Sequence, residues 1–222
     1  MKKYYINLDI STDRREMMEK RYPNIIRIQA YRGRYIKRNY TDIVLPSEDK
    51  TRRGQLGCSY SHVKAIITAY LNGDSEALIM EDDISDEYSS RWEKSIEDIV
   101  LSSPDDCELI SLYTNNLQSL KKMSTLDNDF YPWNRYFTST GCYYINRKGM
   151  EKIYNLFYKD GKIDFSVKLK NYIADDGVIY NNLVSYVYTK PTFTNVLFKS
   201  TIAEKDNPEE AYSYIKGYFE ES

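Results

Sequence analysis

Residues 77–85 read ALIMEDDIS, four apolar side chains running straight into Glu81, Asp82 and Asp83. Three adjacent carboxylates repel one another, so something must compensate them at the end of what reads as a buried strand. A hard divalent cation is one answer, because magnesium and manganese take oxygen ligands, keep waters and bridge to phosphates. Ordinary solvation is the other, with Asp82 or Asp83 capping the next turn. The residue types leave both open. His62 is the single histidine, and a lone histidine is more often a satisfied interior residue than a ligand. Cys58, Cys107 and Cys142 are odd in number and form no CxxC pair. They argue against a disulfide framework or a structural zinc site and suit a reducing compartment, with Cys58 read as packing.

The elements that must position the acids alternate. YYINL reads as a short buried strand, Ser11 or Thr12 as the cap of a helix over DRREMMEKRY, and IIRIQA as a second strand. Residues 31–55 turn polar and basic and read as a long surface loop. A helix is expected from Ser59, closed by Asn72 and Gly73. ALIM is the next strand, RWEKSIEDIVL a helix and ELISLY a strand, and Thr114 to Arg135 reads as a lid-like loop. GCYYINRKGMEKIYNLF reads as strand, turn and helix, IADDGVIYNNL as helical, YVYTKPTFTNV as extended, and the chain after Glu204 as a polar, charged tail. Strands alternating with helices predict an α/β domain with a mostly parallel central sheet. In such sheets ligands bind beyond the carboxyl ends of the strands, which is where the acids fall.

The 222 residues are 41% apolar and 29% charged with a net charge of -2, the balance of one folded domain with no global field towards nucleic acid. Arg32 to Arg53, mixed with Tyr31, Tyr35 and Tyr40, could stack and bind phosphates. A solvated loop, or one closing over a substrate, explains the same residues, and no nucleic-acid partner is expected. MKKYYINLDIS meets Asn and Asp before an apolar run can grow, and nothing approaches the roughly 18 apolar residues of a membrane span. A cytoplasmic protein without an integral membrane segment is expected, its oligomeric state open.

Six stretches in order carry a resemblance. YYINLDISTDRRE, RGQLGCSYSHVKAI, ALIMEDDI, STGCYYINRKGMEKI, IADDGVIY and PTFTNVLFKSTI together resemble glycosyltransferase family 25, which contains lipooligosaccharide galactosyltransferases and collagen hydroxylysine galactosyltransferases. Asn195 departs from the Gln usual at its position, and Asp176 from the Glu of the collagen branch; each keeps the chemical type.

The resemblance implies a GT-A-like fold, a UDP-sugar donor, manganese or magnesium, and inversion at the sugar carbon. Galactose or glucose would pass to a hydroxyl of a glycan or a collagen-like hydroxylysine. A divalent ion stabilises the departing diphosphate, with Asp83 as its expected direct ligand. Glu81 is expected beside the ion or on the ribose, with Asp82 between the two. Asp175 is the expected base for the acceptor hydroxyl and Asp176 its rival, although both also suit a helix N-terminus. Ile6, Asn7, Leu8 and Asp9 are expected to line the nucleotide pocket, with Arg14 or Arg15 on the diphosphate or base, or on a solvated helix face. Ser61, His62, Thr140, Gly141 and Asn195 complete the expected donor site. A metal-dependent phosphodiesterase or nuclease, with the two acid clusters holding two metals, is the alternative enzyme. A catalytically silent nucleotide- or glycan-binding module is the alternative outside catalysis.

Overall fold

The computed structural model describes residues 1–36, 40–44, 53–166, 175–198 and 208–221, without the side chains of Arg53, Asp175, Asp176, Pro208 and Glu221. The first strand, β1 (Lys2–Asn7), is buried from Tyr4 onward and leads into the Thr12–Arg21 helix. Next come β2 (Ile26–Gln29), a tight Gly33–Tyr35 turn and β3 (Ile43–Val44). The Arg53–Leu71 helix precedes β4 (Glu76–Glu81) and β5 (Ile84–Ser85). The Ile96–Leu101 helix, capped by the Ser95 side chain, leads to β6 (Leu109–Ser111). The Leu117–Met123 helix, β7 (Phe130–Pro132) and β8 (Cys142–Asn146) follow. After the Arg147–Phe157 helix come β9 (Tyr158–Lys159) and β10 (Lys162–Asp164). The Asp175–Tyr180 helix, β11 (Ser185–Tyr188), β12 (Thr194–Asn195) and the Pro208–Glu221 helix complete the order.

The central sheet runs β2-β1-β4-β8-β6-β11-β7. Its strands share one direction except β8, antiparallel to both neighbours, and β7 at the edge. Alternation along each strand divides the core in two. Tyr4, Ile6, Ala77, Ile79, Tyr143 and Ile145 face the Arg53–Leu71 and Arg147–Phe157 helices. Tyr5, Leu78, Met80, Cys142 and Tyr144 face Met18, Ile96 and Ile99 on the other side. Both faces of β4 are thus covered, which is why its sequence is continuously apolar instead of alternating. This is a mixed α/β architecture, a mostly parallel sheet flanked by helices.

Several elements differ from the sequence expectation. The helix expected from Ser59 begins at Arg53, because Gly54 and Gly57 are helical here. A Cβ at Gly57 would stand 2.6 Å from the Tyr31 carbonyl and 2.7 Å from the Gly33 amide, so the glycine lets residues 31–33 cross the helix closely. The helix expected over residues 91–101 shortens to Ile96–Leu101. The lid-like stretch from Thr114 to Arg135 contains a helix and an edge strand. Arg147–Phe157 starts directly from β8, with the Asn146 side chain accepting from the Gly149 amide in place of a turn. The polar tail carries a helix whose Ala211, Ile215 and Phe219 pack with Leu120. Lys37, Arg38, Lys50 and Arg52 of the basic loop, and residues 199–207, lie outside the described residues. No helix among the described residues is long and apolar enough to cross a membrane.

Candidate functional site

Three strand ends meet at one edge of the sheet. β1 and β4 are parallel with Ile6 opposite Glu81, so both deliver their carboxyl ends there. β8 is antiparallel with Cys142 opposite Met80, so the segment entering it arrives at the same edge, and the Glu81 amide donates to the Gly141 carbonyl at 2.8 Å. The Arg53–Leu71 helix crosses above and adds Ser61 and His62.

A cavity of about 540 Å³ opens at this edge, walled by Ile6, Leu8, Arg14, Ser61, Glu81 and Asp82, with His62 beside them. Seven expected donor-site residues therefore line one cavity. The lining continues through Ala30 to Arg34, with Ile10, Gly54 and Cys58; of these the sequence offered only the basic stretch from Arg32, as a loop closing over a substrate. The available signal was β2: residues just beyond a strand parallel to β1 must enter the same crevice.

The acids have protein partners. Arg14, buried, donates from Nη1 to Asp82 Oδ1 at 2.7 Å and to Asp83 Oδ2 at 3.2 Å. Asn7 Nδ2 donates to Asp82 Oδ2 at 2.8 Å. Glu81 turns the other way: its Oε1 accepts from Thr140 Oγ1 at 3.2 Å and stands 3.6 Å from His62 Nε2. Burial works to raise the Glu81 carboxyl, but His62, Thr140 and Arg14 outweigh it and the net direction is down. At Asp82 burial prevails over Arg14 and Asn7, and its carboxyl is raised. Asp83 is raised furthest: burial and the neighbouring Glu81 and Asp82 charges push it up to about 7 despite Arg14. Among the described residues Arg14 is the guanidinium that touches both Asp82 and Asp83.

The remaining expected residues occupy the surroundings; among the described residues the cavity wall does not include them. Asn7 is bound up with Asp82, with the Ser11 carbonyl at 3.0 Å and with Arg27 Nε at 3.0 Å. Asp9 is exposed and pairs with Arg27 at 2.6 Å. Gly141 faces a ring: a Cβ there would lie 2.3 Å from Tyr113 Cδ1. The Tyr113 hydroxyl donates to Asn195 Oδ1 at 3.0 Å, so Gly141 and Asn195 both serve the seating of Tyr113. Ser61 accepts from the Tyr31 amide at 2.8 Å and donates to the Gly57 carbonyl at 2.6 Å, tying the two cavity walls together. The end of β12 straps the acid turn, the Val196 amide donating to the Asp83 carbonyl at 2.7 Å and the Phe198 ring lying 5.0 Å from the Arg14 guanidinium. Asp175 and Asp176 open the Asp175–Tyr180 helix; their side chains lie outside the described residues.

No curated protein matches this chain in sequence. Among solved structures, a glycosyltransferase involved in glycosylation of the major capsid of PBCV-1 is similar over 97% of this chain and 99% of its own, at 10% identity and TM-score 0.48. A197 from STIV is similar over 90% and 87%, at 10% identity and TM-score 0.47. HddC from Yersinia pseudotuberculosis, complexed with GMP-PN, is similar over 98% and 100%, at 15% identity and TM-score 0.37. The sequence match is more specific: residues 1–167 match the family described as "Glycosyltransferase family 25 (LPS biosynthesis protein)". That span takes in β1, the acid turn after β4, the His62 helix and β8, all the described parts that build the cavity edge except the β12 strap, and the chain belongs to glycosyltransferase family 25.

Proposed function

We propose that this transferase is inverting and metal-dependent, moving galactose or glucose from a UDP-sugar to a hydroxyl of a glycan or a collagen-like hydroxylysine. The observation that carries the reading is the run of three carboxyl groups, Glu81 to Asp83, at the cavity edge, where Arg14 meets Asp82 at 2.7 Å and Asp83 at 3.2 Å. Such carboxylate oxygens suit a hard divalent cation, with Asp83 assigned as direct ligand and Glu81, from the same turn, as its companion. Bound there, such an ion supplies charge stabilisation to the departing diphosphate.

The chain's own residues account for the rest. Ile6, Leu8 and Tyr31 give the cavity apolar wall for a nucleoside. Arg14, fixed by Asp82, presents guanidinium charge at the diphosphate end without needing to reorganise. Ser61 and Asn7 hold the walls at fixed separation. Asp175, the residue matching the family aspartate, is assigned the acceptor proton. Direct displacement needs that base across the sugar from the diphosphate, on a separate segment from residues 81–83.

The test is incubation with UDP-galactose or UDP-glucose and manganese while UDP release is followed, with free sugars and collagen-like peptides as acceptors. Absence of release with any nucleotide sugar, together with absence of metal-dependent UDP binding, overturns the reading.

A further inference from the structure

We propose that Cys58, His62 and Glu81 form a second cation site, selective for a borderline-soft divalent ion of the zinc class and set into the cavity wall. Cys58 and His62 stand four residues apart on the Arg53–Leu71 helix, hence on one face, and Glu81 reaches them from the end of β4. One ligand atom from each lies within 4.8 Å of the others. Among the described residues this is the one convergence of three such groups; the carboxylates of residues 81–83 do not form another.

Distance and chemistry agree. A tetrahedral zinc with bonds of about 2.0–2.3 Å sets its ligand atoms roughly 3.3–3.8 Å apart. His62 Nε2 and Glu81 Oε1 are already 3.6 Å apart, and the remaining spacing closes with a side-chain adjustment of about 1 Å. His62 is fully buried, yet its Nε2 has no hydrogen-bond partner, an unusual state for a buried polar atom. Its Nδ1 lies 3.2 Å from the Tyr143 hydroxyl. When an ion binds, Nδ1–H donates to that oxygen and Nε2, 3.6 Å from Glu81 Oε1, gives up its proton and offers its lone pair to the ion, the arrangement that outer hydrogen bonds give to metal-ligating histidines. Sulfur, imidazole and carboxylate favour zinc over magnesium or manganese. All three residues line the cavity, so a fourth coordination position opens into it. Because Glu81 belongs also to the acid turn, filling this site couples it to the turn and places a foreign ion where a substrate must enter.

The test uses the full chain and cobalt as a spectroscopic stand-in for zinc, with no nucleotide sugar, so that its failure is distinct from failure of the transferase reading. Titration should produce a near-ultraviolet thiolate-to-cobalt charge-transfer band saturating at one ion per chain and displaced by zinc. Cys58→Ser should abolish the band, His62→Asn should weaken binding about tenfold or more, and Cys107→Ser should keep it. A folded wild type without the band, or a band that survives Cys58→Ser, overturns the proposal. Should Cys58→Ser fail to fold, the wild type still decides. Zinc must slow iodoacetamide alkylation of Cys58, located by peptide mass spectrometry, and unchanged alkylation overturns the site.

Discussion

Arg14 Nη1 lies 2.7 Å from Asp82 Oδ1, with both side chains almost sealed from water. The first compensation for the acid run is therefore a protein cation, and on the proposed reading a metal ion would serve only the charge that remains. The pair also fixes roles within the run. Asp82 is the structural partner, Asp83 is the acid left incompletely neutralised, and Glu81 is turned towards the helix above.

Removing one member of a buried ion pair leaves the other charged and unpaired, at about 3–5 kcal/mol. Arg14→Ala should lower unfolding stability by about 3 kcal/mol in urea titrations near neutral pH. A loss under about 1 kcal/mol would mean that water reaches Asp82 freely in the folded state.

The Asp83 carboxyl is raised in the folded chain to about 7. Between the ordinary carboxylate value, about 4, and 7 the folded state holds a proton that the unfolded state has released, so stability falls as pH rises through that window. Asp83→Asn should flatten this dependence, and above pH 7 the variant should melt at a higher temperature than wild type in chelator. Superimposable melting profiles from pH 4 to 8 would contradict the assignment.

A proton on Asp83 competes with a metal ion, so manganese-dependent UDP binding should weaken by up to about tenfold per unit below pH 7. Asp83→Asn should abolish the metal dependence altogether. Asp175→Ala should bind UDP as wild type does and lose transfer. Calorimetry and UDP release read the two effects separately, and equal loss of both in Asp175→Ala would remove it as the base.

Gly141→Ala would drive a methyl into the Tyr113 ring, since the added Cβ lies 2.3 Å from Cδ1. The expected cost is about 1–3 kcal/mol, with the Tyr113–Asn195 hydrogen bond broken. Tyr113→Phe, which loses the bond alone, should cost about 1 kcal/mol. Gly141→Ala in a Tyr113→Ala background should add little, and additive losses would show that the ring is not the obstacle.

What the sequence made legible follows from where local pattern and tertiary demand coincide. Ala77 to Met80 are buried on both faces, so an unbroken apolar run announces the strand, and the acids mark its carboxyl end. The onset of the Arg53–Leu71 helix was hidden because Gly54 and Gly57 weaken helical propensity, and the reason for Gly57, contact with Tyr31 and Gly33, is remote in sequence. The Pro208–Glu221 helix was hidden by its exposed residues: Ala211, Ile215 and Phe219 make a narrow stripe within a segment of mostly polar and aromatic side chains. Arg14 was balanced between diphosphate and solvent, and only the folded register of the Thr12–Arg21 helix turns it onto Asp82. Gly141 and Asn195 were read as donor contacts because a motif marks a position without revealing its neighbour, here Tyr113.

The strap that ends β12 gives the molecule a temporal order. During synthesis the ribosome releases β1, the Arg14 helix and the acid turn well before residues 194–198, so the early sheet can pair while the Asp83 carbonyl still waits for the Val196 amide and Arg14 for the Phe198 ring. A chain cut short before this point would carry the acid turn unbraced. The brace on the acid turn is therefore among the last contacts of the cavity edge that the growing chain can form.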